Sequence, residues 1–380
     1  MYLDNAATTQ PSSKVVERIC KVMVDNYGNP SSIYKTGIKA HDMLEEARQT
    51  IAETIRVKPQ EIIFTSGGSE SNNLAIKGFL FFHPSFAGIT TKIEHKSVIN
   101  SFKFMENHTE TPVYYLDVDE NGFIDFEQLK KYIEDYYKKG LKPFVSVQFA
   151  NSEIGTIQDI GKVAEIVHDA NGILHCDAVQ MFGSYIVKPK EYGIDLMSVS
   201  GHKFKATKGV GFLYKREDIE IEPLIHGGGQ EKGLRAGTEC TPLIAGLAVA
   251  ISDIKDNMPQ SIIGARNELI GKLLKQIPDS MINGDLKNRL PGNISLSLKN
   301  IDGEALLLLL NMKGIEISNG SACNTGSLEP SVVLEAIKTP TEYINGTIRI
   351  TFDRPLGVTE IDTIVRKIKE CVDYMREAQK

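Results

Sequence analysis

Two short apolar runs, each ending in a polar motif, constrain the fold of this chain most strongly. Ile173–Cys176 leads into Asp177-Ala-Val-Gln180, and the apolar run before Ser200 leads into Ser200-Gly-His-Lys203. Runs of this length are typical of strands that are buried on both faces of a parallel sheet. Ligands of open α/β sheets bind beyond the carboxyl ends of the strands, so we expect Asp177 and Lys203 at one binding edge.

The rest of the chain extends this α/β pattern and then departs from it. The predicted strands up to residue 260 are Ile62–Thr65, Gly88–Ile93, Phe144–Phe149, Ile173–Cys176, Leu196–Val199 and Gly209–Tyr214. Helical periodicity lies between several of them, notably over Ile160–Ala170, which predicts a mainly parallel sheet with helices on both faces. After that point the predicted helices are Ser261–Ile277, Asp302–Met312 and Thr359–Met375, with strands at Asn293–Leu298 and Thr347–Phe352. We therefore predict a large domain over residues 15–260, a smaller α+β domain over 261–380, and an N-terminal segment, 1–14, packed with the small domain.

Bulk composition excludes several classes of function. The 380 residues carry a net charge of −6 with a pI near 5.8, which argues against binding nucleic acid through overall charge. No export signal is visible at the N-terminus, and the Leu306–Leu310 run is too short to span a membrane. The five cysteines, at positions 20, 176, 240, 323 and 371, are scattered without a Cys-x-x-Cys pair. This pattern predicts free thiols in a reducing cytoplasm, with no metal site.

An acid and a lysine at neighbouring strand ends suit an enzyme that uses pyridoxal phosphate. A desolvated lysine can bind the cofactor aldehyde covalently, and a carboxylate can keep a proton on the pyridine nitrogen. The alternative is a buried Asp177–Lys203 ion pair, which the two motifs alone leave open.

Other motifs fit the same cofactor. The turn Ser66-Gly-Gly-Ser69 joins a strand to a helix and could bind a phosphate, with Ser200 and His202 as further donors, although many such turns are only tight connections. His95 follows a strand and could stack on a cofactor ring or be a structural histidine. Arg349 alternates with apolar residues on a strand and needs an anionic partner, either a protein acid or a substrate carboxylate. Cys323 lies among Gly, Ser, Asn and Thr in a predicted exposed loop, which favours a nucleophile over a core thiol.

Together these motifs resemble the cysteine desulfurases of the class V aminotransferase group, pyridoxal phosphate enzymes of fold type I. The resemblance covers essentially the whole chain. Besides the motifs above, it includes Leu3-Asp-Asn-Ala-Ala-Thr-Thr, Tyr27-Gly-Asn-Pro-Ser-Ser, Asn151-Ser-Glu-Ile-Gly, His226-Gly-Gly-Gly, Arg235-Ala-Gly-Thr238 and Gly320-Ser-Ala-Cys323. Ala206-Thr207 and Ser69 depart from the residues common in the group at those positions.

The resemblance implies a role for each matching residue. Lys203 would bind the cofactor, Asp177 would pair with the pyridine nitrogen, and Gln180 would contact the phenolic oxygen. His95 would stack on the ring and shuttle protons. The phosphate would be bound by Gly68, Ser69, Ser200 and His202, and by Thr238 of the other subunit of a homodimer. Asn151 would contact cofactor and substrate, Arg349 would bind the substrate carboxylate, and Cys323 would take the sulfur of L-cysteine as a persulfide and leave L-alanine.

The motifs are compatible with more than one sulfur acceptor and with more than one function. The sulfur could go to an iron–sulfur scaffold protein or to a thiolation enzyme, and the chain ends directly after its last predicted helix, without the C-terminal extension that engages such a scaffold. A selenocysteine lyase or an aminotransferase of the same fold is the nearest alternative, and a non-catalytic relative that acts as a binding partner is the alternative from another class. We expect no membrane partner and no direct nucleic-acid partner.

Overall fold

The computed structural model describes residues 1–254, 256–319 and 331–378, and two sheets organise them. The seven-stranded sheet has the order β1-β7-β6-β5-β4-β2-β3. Its strands are β1 (Ile62–Thr65), β2 (Phe86–Thr91), β3 (Val113–Leu116), β4 (Lys142–Ser146), β5 (Ile173–Asp177), β6 (Leu196–Ser200) and β7 (Gly211–Lys215). Strand β7 runs antiparallel to both of its neighbours, and the other pairings are parallel.

A four-stranded antiparallel sheet follows, in the order β10-β11-β9-β8. Its strands are β8 (Ser280–Ile282), β9 (Asn293–Leu298), β10 (Ser318–Asn319) and β11 (Thr347–Thr351). Leu3 joins the hydrophobic cluster of this sheet, whose other buried members come from residues 262–375.

Helices cover the sheets and connect their strands. They are α1 (Ser13–Asp25), α2 (Lys35–Thr54), α3 (Gly68–Asn73), α4 (Phe79–Phe82), α5 (Lys96–Thr109), α6 (Phe126–Lys138), α7 (Ile160–Asp169), α8 (Thr241–Ser252), α9 (Gln260–Gln276), α10 (Gly303–Met312), α11 (Val332–Ala336), α12 (Thr341–Ile344) and α13 (Val358–Ala378). A π-helical turn, Leu74–Gly78, joins α3 to α4 without a break.

The central strands of the large sheet are apolar because both of their faces are covered. Every residue of β4 except Lys142, and of β5 except Ile173, is buried, as are all residues of β6 and β7. Helix α7 shows how the sequence produces the covering layer: Asp159 caps its first turn, and Ile160, Val163, Ala164 and Val167 form its buried face. The predicted α/β fold with a mainly parallel sheet is thus confirmed. The domain boundary near residue 260 stays a prediction.

Candidate active site

Functional side chains gather at one edge of the large sheet because of strand direction. The strands β2, β4, β5 and β6 run parallel, so their carboxyl ends lie at the same edge. Asp177 is the last residue of β5, and Ser200 is the last residue of β6. Lys203 closes the short 3₁₀ turn Gly201–Lys203 that follows β6. The two motifs that begin at Asp177 and Ser200 therefore both lie at the edge of the sheet where ligands of open α/β folds bind.

A cavity of about 900 Å³ opens at this edge. Five of the predicted site residues line it: His95, Asn151, Gln180, Lys203 and Arg349. They come from four separate parts of the large sheet and from β11 of the small sheet. The fold thus brings together residues that are up to 254 positions apart in the sequence.

The N-terminal segment closes one side of the site around Lys203. Lys203 Nζ donates hydrogen bonds to the carbonyl oxygens of Ala6, at 2.6 Å, and Ala7, at 2.9 Å. Gln180 Nε2 also donates to the Ala6 carbonyl oxygen, at 3.1 Å. These contacts place the lysine amine between the β6 turn and the first residues of the chain.

Asp177 is fixed by a residue that the sequence analysis did not single out, Asn72. Asn72 Nδ2 donates to Asp177 Oδ2 at 2.7 Å, and the backbone N–H of Val179 donates to Asp177 Oδ1 at 3.0 Å. Both side chains are buried, with Asp177 7% exposed and Asn72 1% exposed. Asn72 lies three residues after the Ser66-Gly-Gly-Ser69 turn, and its place in the helix that follows this turn was the one available signal.

The predicted phosphate loop is a tight turn that disfavours side chains at both of its glycines. Gly67 has a φ of 147°, which residues with side chains rarely adopt. A Cβ on Gly68 would lie 2.7 Å from Val179 Cγ2, and Ser200 Cβ lies 3.4 Å from the same position. The first N–H groups of the following helix have no intrahelical partner. Ser69 is exposed at this helix start, and Glu70 accepts from Ser66 N–H and from Arg235 at 2.8 and 2.9 Å.

His202 is held against the N-terminal segment. Its Nδ1 lies 3.1 Å from Thr8 Oγ1, and its carbonyl oxygen accepts from the Thr9 N–H at 2.8 Å. Burial lowers the pKa of His202 to about 4, and the charges of Lys203 and Lys208 act in the same direction. The ring is therefore neutral at neutral pH and can donate one hydrogen bond to an anion.

Arg349 lies at the small-sheet side of the cavity beside an acid of the N-terminal segment. Arg349 Nη2 donates to Asp4 Oδ1 at 2.8 Å, and Nη1 donates to the Ser152 carbonyl oxygen at 3.3 Å. Arg349 Nε is buried without a hydrogen-bond partner among the described residues. The guanidinium thus keeps donor capacity for a further acceptor. Sequence analysis left open whether its partner is a protein acid or a substrate, and Asp4 is the protein acid.

Two buried acids that the sequence analysis missed, Glu94 and Glu153, also line the cavity. Burial raises the pKa of Glu94 to about 8; hydrogen bonds from Gln148 and Thr91 lower it, and the Asp177 carboxylate raises it further. Glu94 Oε2 has no partner among the described residues. Glu94 directly precedes His95, and Glu153 lies in the Asn151-Ser-Glu-Ile-Gly motif, so their positions were visible in the sequence but their burial was not.

Glu153 connects the cavity to helix α11. Its Oε2 accepts from Ser331 Oγ at 2.6 Å, and Ser331 caps α11. Burial raises the pKa of Glu153 to about 7, against the Ser331 hydrogen bond and the charges of Arg349 and Lys96, which lower it.

Two of the described predicted residues do not present a free side chain to the cavity, and a third predicted residue is not described. Asn151 Nδ2 donates to the Ile93 carbonyl oxygen at 3.0 Å, and its Oδ1 accepts from the N–H groups of Glu153 and Ile154. Thr238 is exposed and is not among the residues that line the cavity. Cys323 lies outside the described residues, in 320–330.

The donor set of this site fits pyridoxal phosphate. A buried carboxylate at the end of β5 suits a protonated pyridine nitrogen, and the amine of Lys203 suits the aldehyde. The Gly67–Gly68 turn, where the φ of Gly67 and the close approach of Val179 to Gly68 disfavour side chains, suits the approach of a phosphate to backbone N–H groups. The cavity is large enough for the cofactor together with an amino acid, since ligand pockets are typically about 300–1,000 Å³.

Comparison with known proteins decides the family. The family model "Aminotransferase class-V" matches residues 1–364. The chain belongs to the class-V aminotransferase family. Enzymes of this family depend on pyridoxal phosphate, so the predicted cofactor is confirmed.

Two relatives that are similar over nearly the whole chain are both named cysteine desulfurase IscS. A cysteine desulfurase IscS of Methanosarcina thermophila is 41% identical over 99% of this chain and 93% of its own length. A cysteine desulfurase IscS of Clostridium botulinum is 40% identical over 99% of this chain and 95% of its own length. The family match and these relatives confirm the resemblance that was predicted from the motifs.

Solved structures agree in fold. A NifS-like protein superposes with a TM-score of 0.89 and 34% identity, covering 98% of this chain and 99% of the other. SspA, solved in complex with cysteine, superposes with a TM-score of 0.81 and 34% identity, covering 94% of this chain and 99% of the other.

The described residues contain neither a membrane-spanning helix nor a cluster of metal-binding side chains. None of the described helices combines the length and the hydrophobicity that crossing a membrane requires. Within residues 1–254, 256–319 and 331–378, no group of three or more His, Cys, Asp and Glu side chains is arranged to hold a metal ion.

Proposed function

We propose that this protein is a pyridoxal phosphate-dependent cysteine desulfurase, which converts L-cysteine to L-alanine and transfers the sulfur to Cys323 as a persulfide. The observation that carries the proposal is the cavity at the strand ends, which Lys203, His95 and Arg349 line, at the same sheet edge as the buried Asp177. The cysteine desulfurase relatives, at about 40% identity over nearly the whole chain, support the same activity.

The residues of the chain would hold the cofactor in a fixed orientation. Lys203 would bind its aldehyde, Asp177 its pyridine nitrogen and Gln180 its phenolic oxygen. Gly68, Ser69, Ser200 and His202 would bind the phosphate. When bound, pyridoxal phosphate withdraws electrons from the substrate carbon and so weakens the bonds to that carbon.

Arg349 would select an amino acid substrate by its carboxylate. A guanidinium can form two parallel hydrogen bonds with a carboxylate, and burial strengthens them. The structurally similar SspA was solved with cysteine bound, which favours cysteine over other amino acids here. The Lys203 amine, once released, would remove the α-proton of the substrate.

Cys323 would carry out the sulfur transfer. Its thiolate would form an S–S bond with the substrate sulfur while the C–S bond of the substrate breaks. The carbon would keep the electron pair of that bond and take up a proton, so that the carbon skeleton leaves as L-alanine. The persulfide would then pass its outer sulfur to an acceptor protein, either an iron–sulfur scaffold or a thiolation enzyme, in the cytoplasm.

We further propose a homodimer with shared active sites. Between residues 23 and 38 the chain exposes a run of large apolar side chains: Met23, Val24, Tyr27, Ile33, Tyr34 and Ile38. Ile33 is 93% exposed and Tyr27 is 78% exposed, and such a concentration is typical of a protein interface. The exposed Thr238 could then reach the phosphate of the partner subunit.

Cys323→Ser tests the proposed function. A serine hydroxyl is a far poorer nucleophile than a cysteine thiol near neutral pH, while Lys203, Asp177 and Arg349 are untouched. We expect normal cofactor binding and a normal spectral change on adding L-cysteine, with loss of protein persulfide and of alanine production. Cys240→Ser, at an exposed cysteine of the described chain, is the matched control and should keep wild-type turnover. Wild-type alanine production by Cys323→Ser would refute the desulfurase assignment.

A further inference from the structure

The side chain of His95 caps helix α5. Its Nδ1 accepts a hydrogen bond from the backbone N–H of Ser97, at 3.1 Å. A backbone N–H is always a donor, so Nδ1 must present a lone pair to it. The proton of the neutral imidazole therefore lies on Nε2.

Ser97 makes a second contact with the same ring nitrogen, and Asn72 orients it. Ser97 Oγ lies 2.7 Å from His95 Nδ1 and accepts a hydrogen bond from Asn72 Nδ2 at 2.9 Å. The other hydrogen of Asn72 Nδ2 is donated to Asp177 Oδ2, at 2.7 Å. An ionised carboxylate only accepts, which fixes the NH₂ side of the amide toward Asp177 and Ser97. The Ser97 hydroxyl proton is then directed to His95 Nδ1.

The helix itself disfavours a positive charge on His95. The N-terminal end of a helix carries a partial positive charge, which stabilises anions and destabilises cations within its first turn. Protonation of Nδ1 would also break both hydrogen bonds from Ser97. The chain His95–Ser97–Asn72–Asp177 thus keeps the ring neutral and links it to the carboxylate expected to hold the cofactor.

We propose that Ser97 and Asn72 hold His95 as a neutral ring protonated on Nε2, so that His95 enters the reaction with Nε2–H as a hydrogen-bond donor. This inference rests on the proposed function, and it specifies the ring nitrogen that carries the proton at the start of the reaction. The α-proton is then left to the Lys203 amine. Ser97 and Asn72 are positioning residues, because they act on the site through His95 and Asp177.

The charged groups around the cavity act in the same direction. Among the described residues, the titratable side chains that line it together with His95 are Lys92, Lys96, Lys103, Lys203, Arg349, Glu94, Glu153, Glu335 and Tyr115. Five of the nine are cations, which oppose a further positive charge on His95. Glu94, the preceding residue, is uncharged at neutral pH because burial raises its pKa to about 8.

Nuclear magnetic resonance of the holoenzyme labelled with ¹⁵N-histidine reads the tautomer directly. Two-bond ¹H–¹⁵N correlation distinguishes a protonated ring nitrogen from an unprotonated one, and the signals of His95 are assigned by their loss in His95→Gln. We expect a protonated Nε2 and an unprotonated Nδ1 from about pH 6 to about pH 9. An unperturbed histidine, with a pKa of about 6.5, would become positively charged at the lower end of this range. A protonated Nδ1, or an imidazolium at pH 7 to 8, would overturn the inference.

Ser97→Ala and Ser97→Thr form a matched pair for the role of the hydroxyl. Ser97→Ala removes Oγ and leaves the backbone N–H of residue 97 as the one remaining donor to Nδ1 among the described residues, so we expect the Nδ1-protonated tautomer to appear beside the Nε2-protonated one, seen as partial averaging of the two ring-nitrogen shifts. Ser97→Thr keeps the hydroxyl and should keep the wild-type spectrum. An unchanged tautomer in Ser97→Ala would show that Ser97 and Asn72 do not control it. The spectra do not depend on turnover, so they remain informative even if the desulfurase assignment fails.

Discussion

The buried carboxyl of Glu94 couples the protonation of this site to the stability of the fold. Its pKa is about 8 in the folded chain, whereas a glutamate in an unfolded chain titrates near about 4.3. Between these values the folded state keeps a proton that the unfolded state releases, so the free energy of unfolding falls as the pH rises. Below the unfolded value both states are protonated, and Glu94 adds no pH dependence there.

Glu94→Gln removes this pH dependence. The free energy of unfolding of Glu94→Gln, relative to wild type, should rise between pH 5 and pH 8 by up to about 4 kcal/mol, at about 1.4 kcal/mol per pH unit. Denaturant titrations of both proteins at several pH values measure it. Glu335→Gln, the same change at an exposed carboxyl of the same cavity, should show no such trend. A difference between Glu94→Gln and wild type that is constant with pH would contradict the raised pKa.

For single residues, sequence patterns predicted chemistry better than they predicted contacts. Lys203, His95 and Arg349 were identifiable because reactive side chains followed predicted strands or alternated with apolar residues. Asn72 was not, because its role depends on Asp177, which lies 105 positions further along the chain. Burial of Glu94 is likewise a property of the folded cavity, and no local pattern distinguishes it from a surface glutamate.

The element that most affects the substrate side of the site is the N-terminal segment. Leu3 packs into the core of the small sheet, Asp4 pairs with Arg349, and the carbonyl oxygens of Ala6 and Ala7 accept from Lys203. One short stretch of chain therefore contacts both the residue expected to bind the cofactor and the residue expected to bind the substrate carboxylate.

Asp4→Ala tests this element through Arg349. Loss of the carboxylate removes the ion pair that orients the guanidinium, and a hydrogen bond to a charged group contributes about 1.5–3 kcal/mol. We expect the apparent dissociation constant of L-cysteine, measured from the change in cofactor absorbance in the Cys323→Ser background, to rise about tenfold. Asp4→Asn keeps an acceptor and should have a smaller effect.

Cysteamine, which lacks the carboxylate, is the control ligand for this prediction. Its affinity should change little in Asp4→Ala, because cysteamine has no carboxylate for Arg349 to bind. An equal loss of affinity for cysteamine and L-cysteine would mean that Asp4 supports the site generally and does not act through the substrate carboxylate.

Periodicity located most elements but not the least regular ones. The predicted strands at 62–65 and 293–298 match β1 and β9 in full, and the predicted helix at 359–375 lies inside α13. Strand β3 (Val113–Leu116) was not predicted, since an edge strand with three half-buried residues lacks a clear apolar run. The π-helical turn Leu74–Gly78 was not predicted either, because an apolar helix with one widened turn keeps the same sequence pattern.

In the assembled molecule, the site is incomplete in one chain if Thr238 acts on the partner subunit. Within a protomer, Arg235 is tied to the phosphate loop through Glu70, yet Thr238, three residues later, is exposed. A hydroxyl that binds a phosphate donates to a charged acceptor, so Thr238→Ala should weaken cofactor binding about tenfold or more. In the proposed homodimer, each site would take Lys203 from one chain and Thr238 from the other.

Heterodimers of Thr238→Ala and Lys203→Ala chains, purified through two different tags, decide this dependence. If Thr238 acts on the partner subunit, the site with an intact Lys203 takes its Thr238 from the Lys203→Ala chain, and both defects fall in the other site. Such a heterodimer should bind one cofactor with wild-type affinity and have about half of the wild-type turnover, whereas each parent homodimer is impaired. If Thr238 acts within its own chain, each site of the heterodimer carries one defect. Cofactor titration would then find only weakened sites, and the shared active site would be excluded.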